Sequence, residues 1–148
     1  MSELLARQAI RLTEDAADRD SAIRRCGEVL GATGAVEPGY VAAMLERETS
    51  ISTYVGEGVA IPHGTLDSKR LVNHDALAVL RFPSGVDWGG ETVRVCVAIA
   101  AAGDGHVEIL SQLAELLMDP EAARALREAT DTDEILRLIG PVRKDNTS

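Results

Sequence analysis

The segment VRVCVAIAAA, residues 93–102, constrains the fold more than any other stretch of the chain. Val93, Val95, Val97 and Ile99 alternate with small residues, and Arg94 is the only polar side chain. A strand with no polar face must be covered on both sides, so this run reads as the central strand of a sheet between helical layers. Ala76 to Phe82 is a second, nearly continuous apolar run. The intervening PSGVDWGGE reads as a turn that joins the two as an antiparallel pair.

The remaining pattern supplies the covering layers. Asp20 is placed to cap a helix running to about Thr33, with Ala22, Ile23, Cys26, Val29 and Leu30 on one stripe and Gly34 as the stop. Glu37-Pro38 opens a second helix, since proline is tolerated in a first turn. Val41, Met44, Leu45 and Glu48 face inward there, with Arg47 near an edge. Thr53 to Val55 and Val59 to Ile61 read as short strands around Gly56-Glu57-Gly58, and AIRLTED, residues 9–15, as another. Three helices follow. The first starts near His106 and buries Val107, Leu110, Leu113, Ala114 and Leu117. The second starts at Asp119-Pro120 with Ala123 and Leu126 inward, and the third is capped by Thr132 and ends at Gly140-Pro141. The expectation is an α/β fold, a three-layer α/β/α sandwich whose mixed β-sheet is flanked by helices on both faces. It forms one domain over residues 1–140, with a flexible tail at 141–148.

Hydrophobic residues make up 45% of the chain and aromatics 3%, so the core is aliphatic. A formal charge of -9, from 15 basic and 24 acidic residues, repels phosphate backbones and argues against nucleic acid as a partner. An acidic face instead favours capture of a basic protein. No stretch has the build of a signal peptide or a membrane span, which points to a cytoplasmic protein without direct membrane insertion. Cys26 and Cys96 sit among apolar neighbours and read as small core hydrophobes.

Three histidines carry the possible chemistry. His74, in VNHDAL, reads as a solvated turn residue. His63 lies in GEGVAIPHGT, residues 56–65. Pro62 lacks an N–H and stops the ladder just before the histidine, and Gly64 lets the backbone turn beside the ring. That would fix an imidazole at a strand end with one face open, where ligands of α/β sheets commonly bind. Taken alone, the spacing leaves a plain turn histidine open. His106 follows AAGDG and sits in a first helical turn, where free N–H groups and the helix dipole attract anions. If the strands ahead of His63 and His106 are neighbours with ends on the same side, the two rings meet. Arg47 would then add positive charge for a phosphoryl group. Other motifs fail: Gly56-x-Gly58 lacks the rest of a dinucleotide fingerprint, and no Walker loop or zinc spacing is present. His63, His106 and Glu57 form at most a weak metal set.

The wording EPGYVAAMLERETSISTYVGEGVAIPHGT, residues 37–65, together with FPSGVDWG, the VAIAA strand and the terminal TDEILRLI, resembles enzyme IIA of the mannitol/fructose type in the sugar phosphotransferase system (PTS). The resemblance spans nearly the whole chain and is nearer the mannitol branch than the nitrogen-regulatory one. It implies that His63 is the phosphoacceptor, phosphorylated on Nε2 while Nδ1–H is tied to the protein. The group would come from the phosphocarrier HPr and pass to a cysteine of a IIB component on a separate chain, serving uptake of mannitol or a related sugar. His106 matches the second active-site histidine, Arg47 the arginine that compensates phosphate charge, and Glu57 an acidic residue orienting an imidazole or a partner. No cofactor or metal is implied. The alternative is a regulatory PTS protein in which phosphorylation of His63 controls partner binding rather than transport.

Overall fold

The computed structural model describes residues 4–102 and 105–142, with only the backbone of Leu66, Gly105 and His106. The chain runs β1 (Leu5–Arg11), α1 (Arg19–Ala32), α2 (Tyr40–Ser50), β2 (Tyr54–Gly56), β3 (Val59–Ala60), a short 3-10 helix (Leu66–Leu71), β4 (Ala76–Trp88), β5 (Glu91–Ala100), α3 (Gly105–Leu117), α4 (Pro120–Glu128) and α5 (Thr132–Ile139). The strands form one mixed sheet in the order β1-β4-β5-β3-β2. The β1/β4 and β3/β5 pairs are parallel, and β4/β5 and β2/β3 antiparallel. The helices make it a three-layer α/β/α fold: α1 and α2 pack together, and α3, α4 and α5 pack in sequence.

β5 is the central strand that its sequence demands. Val93 and every residue from Val95 to Ala100 are fully buried. Its antiparallel pairing with β4 extends further than expected, because most of the segment read as a turn is strand. PSGVDW continues β4, and the reversal is confined to Gly89 and Gly90, at φ 70° and 102°, a conformation that glycine adopts without strain. The register reconciles the two readings: Arg81 pairs with Val95 and Val86 with Val93, so the four β4 residues between these pairs oppose the single residue Arg94 on β5. Pro83, Ser84 and Gly85 bulge out, the place in a strand where proline is tolerated.

Several boundaries move for local reasons. The first strand starts at Leu5 and stops at Arg11, ahead of the Thr-Glu-Asp end of the expected segment. α1 is capped by Asp18, whose carboxylate accepts from the Ser21 N–H at 2.8 Å, while Asp20 lies in the first turn. α5 is likewise capped by Asp131 rather than Thr132. Ile109, Leu113 and Leu117, spaced by four, form the inner line of α3, whereas Val107 and Ala114 face solvent. Most of the expected tail, 143–148, lies outside the described residues. Val142, however, is buried and its N–H bonds Ile139 O, so the packed unit runs past residue 140. Cys26 and Cys96 are both buried and free, and His74 is exposed with Nδ1 3.3 Å from Asp75 O.

Candidate active site

His63 is delivered by the parallel β3/β5 pair. Val59 pairs with Val95, Ala60 with Cys96 and His63 with Ile99, a constant offset that runs through Pro62 without a slip. Pro62 cannot donate, but its carbonyl accepts from Ile99 N–H at 2.9 Å. On the other edge, Ile61 N–H donates to Thr53 O at 3.0 Å, and so ties the segment to the chain entering β2. The histidine therefore leaves a strand held from both sides.

The imidazole has a defined tautomer. Its Nδ1 lies 2.8 Å from the carbonyl oxygen of Ile61. A carbonyl only accepts, so Nδ1 carries the proton, and in the neutral ring Nε2 holds the basic lone pair. The expectation of one open ring face is not met, for His63 is only 4% exposed. An open face is also not what nitrogen chemistry needs. The lone pair of an sp2 nitrogen lies in the ring plane, so an electrophile approaches Nε2 at the ring's edge.

Beside His63 the backbone is closely packed. Gly64 N–H donates to the Tyr40 hydroxyl at 2.9 Å, and that hydroxyl donates to Ile99 O at 3.0 Å. A Cβ on Gly64 would stand 2.6 and 2.8 Å from two ring atoms of Tyr40 and closer still to the Ser68 hydroxyl. Glycine is thus required at this position by contact. Burial pushes the Tyr40 hydroxyl pKa up, partly opposed by the Gly64 N–H bond. The sequence reading missed this tyrosine, although Tyr40, Met44 and Glu48, spaced by four, form the buried line of α2. Val41 and Leu45, taken as inward, are half-buried flanks.

Arg47 is half-buried on the last turns of α2 and donates from Nη1 to Ile51 O at 2.7 Å. Among the described residues it has no carboxylate partner. The next residue, Glu48, is 4% exposed and accepts from Thr53 N–H (2.9 Å), Thr53 Oγ1 (2.6 Å) and Trp88 Nε1 (2.9 Å). Glu48 pins Thr53, Thr53 receives Ile61, and Ile61 holds the ring of His63. The anchor of Arg47, Ile51, lies two residues before Thr53 on this connected segment.

Glu57 is carried elsewhere. It occupies the β2–β3 turn at φ 56°, with its carbonyl 2.6 Å and its carboxylate 3.8 Å from Arg127 Nη1 of α4. Val59 and His63 are separated by extended chain, roughly 13 Å at about 3.3 Å per residue, and Glu57 lies beyond Val59. The structure does not bring Glu57 to the His63 ring. His106 lies in the first turn of α3, with its side chain outside the described residues. Because β3 and β5 are parallel, His63 and the start of α3 both follow carboxyl ends on the same side of the sheet. Among the described residues, no group of three or more His, Cys, Asp or Glu side chains is placed to hold a metal ion.

Fold and site together describe an α/β/α protein with a buried, tautomer-fixed histidine at the end of a parallel strand. Residues 3–140 match the family model described as phosphoenolpyruvate-dependent sugar phosphotransferase system, EIIA 2. The chain is 39% identical over 141 residues to the mannitol-specific phosphotransferase enzyme IIA component of Halalkalibacterium halodurans, covering 95% of this chain and 97% of that one. It is 41% identical over 140 residues to the multiphosphoryl transfer protein of Xanthomonas campestris pv. campestris, covering 94% of this chain but only 17% of that longer protein. It also superposes on the enzyme IIA chain in the Escherichia coli complex of IIAMTL with phosphorylated IIBMTL. There the TM-score is 0.84 and the identity 36%, over 92% of this chain and 98% of that one. The protein belongs to the EIIA 2 family of the phosphoenolpyruvate-dependent sugar PTS, and is a phosphotransferase component.

Proposed function

We propose that the protein accepts a phosphoryl group from HPr on Nε2 of His63 and passes it to a cysteine of a IIB component on another chain, in the uptake of mannitol or a related sugar. The observation that carries this is the 2.8 Å bond from Nδ1–H to Ile61 O, which supports Nε2 as the nucleophilic nitrogen. As the donor's P–N bond breaks, the Nε2 lone pair forms the new one. The Nδ1 proton stays in place, and the ring becomes a phosphoimidazolium whose positive charge the Ile61 carbonyl stabilises. Transfer onward reverses this at phosphorus, with an S–P bond replacing the N–P bond and the neutral Nδ1–H ring restored.

A phosphohistidine is already activated, so the protein contributes positioning and charge compensation. Arg47 supplies the cation, and His106, opening α3, is the second histidine of the site. Glu57 takes no part at His63 in this scheme. Ile51, whose carbonyl anchors Arg47, and Val107, which follows His106, are 71% and 65% exposed and serve as the apolar docking patch. Such a contact is small and transient. Mannitol and IIB are suggested by the relatives and by the E. coli complex. No helix among the described residues is long and apolar enough to cross a membrane, which fits a component working in the cytoplasm.

The test is incubation with enzyme I, HPr and phosphoenolpyruvate, followed by mapping of acid-labile phosphate. Phosphate on His63, lost in His63→Ala with the fold retained, is the expected result. Phosphate on another residue, or none, overturns the proposal.

A further inference from the structure

The parallel ladder between β3 and β5 is irregular on both sides of His63. Val95 N–H bonds Gly58 O, and Ile99 N–H bonds Pro62 O. Continued regularly, that pattern sends the N–H of residue 62 to Val97 O and the N–H of residue 64 to Ile99 O. The first of these rungs cannot form, because residue 62 is proline. At the second stands a side chain from another layer: the Tyr40 hydroxyl accepts from Gly64 N–H at 2.9 Å and donates to Ile99 O at 3.0 Å. A hydroxyl can fill both roles at once. Two such bonds in series hold the backbone groups roughly 5 Å apart, where a direct rung would hold them at about 2.9 Å. The chain is thus turned off the sheet at Gly64, immediately after the histidine.

We infer that Tyr40 is a positioning residue for phosphoryl acceptance: its hydroxyl serves as the last rung of the β3–β5 ladder and sets the direction in which His63 presents Nε2. The inference rests on the reading of His63 as the acceptor. Tyr40 acts through the backbone on either side of that residue. Pro62 O is fixed by Ile99 N–H, and Gly64 N–H is fixed by the tyrosine. Without the hydroxyl, Gly64 N–H and Ile99 O either close on each other by about 2 Å or stay unpaired. The first rotates the His63 backbone, and the second removes the restraint that holds it in one direction. A reacting atom displaced by about 1 Å can lose up to roughly a hundredfold in rate. The Tyr40 ring, buried against Gly64, leaves no room there for any side chain, so the hydroxyl and the glycine form one device.

Tyr40→Phe tests this, with Tyr54→Phe as the matched control. Tyr54 also offers its hydroxyl to a glycine N–H, that of Gly58 at 3.2 Å, but at the opposite end of β3. Single-turnover transfer from phosphorylated HPr is followed over a range of HPr concentrations, and 15N shifts of the His63 ring are recorded on the same samples. In Tyr40→Phe the maximal rate should fall about ten- to a hundredfold with an unchanged half-saturating HPr concentration and altered His63 nitrogen shifts. Tyr54→Phe should match wild type in all three. A wild-type maximal rate in Tyr40→Phe, or a fall no larger than its loss of folded protein, overturns the inference. If Tyr40→Phe does not fold, 3-fluorotyrosine in the Tyr54→Phe background keeps the ring and weakens the oxygen as an acceptor. A smaller slowing is then expected, and an unchanged rate overturns the inference. Wild-type protein that takes no phosphate on His63 refutes the acceptor reading itself, and Tyr40's role with it.

Discussion

The Nδ1 atom of His63 stands 2.8 Å from the carbonyl oxygen of Ile61, two residues back along the same strand. The bond is local, so it persists as long as that short stretch stays extended, and it fixes the proton on Nδ1. On the proposed reading Nε2 is the acceptor, and 15N and 31P spectra of the phosphorylated protein should show the tele isomer alone. The pros isomer would show that the ring turns over before reacting.

Arg47 touches Ile51 O through one nitrogen and lacks a carboxylate partner among the described residues, and the proposed function gives its charge to the phosphoryl group. Arg47→Ala should slow transfer by about tenfold or more, the scale of losing one charged donor at a developing anion. Arg47→Lys should recover part of the rate, because the charge returns without the planar fork. A loss of thermal stability with an unaltered rate per folded molecule would assign Arg47 to the helix end instead.

Gly64→Ala forces a methyl group into the Tyr40 ring and the Ser68 hydroxyl. Overpacking of this kind costs about 1–3 kcal/mol, read as a lowered urea midpoint. Transfer should fall further than the folded fraction does, since the displaced atoms adjoin His63. Wild-type stability and rate together would mean that the contact relaxes at no cost.

Glu57→Ala should leave the transfer rate unchanged. Its carboxylate faces Arg127 across the surface, 3.8 Å away, an exposed ion pair worth about 0–1 kcal/mol. Single-turnover rates matching wild type, with a slightly lowered melting temperature, are expected. A large drop in rate would show that the β2–β3 hairpin reaches the reaction by another conformation.

The parts of this site legible in the sequence were those written in local chemistry. Pro62 and Gly64 declared a strand end, and the unbroken apolar run of β5 declared the centre of the sheet. Tyr40 was not legible, because its role depends on a hydroxyl from α2 meeting backbone groups 24 and 59 residues away. The Glu57 role came from the family resemblance, which carries no geometry of its own; here the extended strand carries Glu57 toward Arg127 and away from the His63 ring. The exposure of His63 was misjudged for a local reason: a residue beside proline and glycine reads as a surface turn, whereas here it is 4% exposed.

Two buried acids, Cys96 in the core and Tyr40 beside Gly64, add a pH dependence to stability. Burial raises the Tyr40 pKa and, with Cys26 alongside, raises that of Cys96 well above the ordinary thiol value. Each is neutral when protonated. Above about pH 8.5 an unfolded cysteine releases its proton, and above about pH 10 an unfolded tyrosine does, while the folded groups keep theirs. The unfolded state then binds fewer protons, so unfolding becomes easier by about 1.4 kcal/mol per pH unit for each such group, until the folded group also ionises. The stabilisation is complete below the unfolded values and is lost as pH rises through the folded ones. Urea midpoints from pH 7 to 11 under reducing conditions should fall in two stages. Cys96→Ala should flatten the first stage and Tyr40→Phe the second, whatever each costs at neutral pH. Curves for both variants that run parallel to wild type across this range would show that neither group remains protonated in the fold.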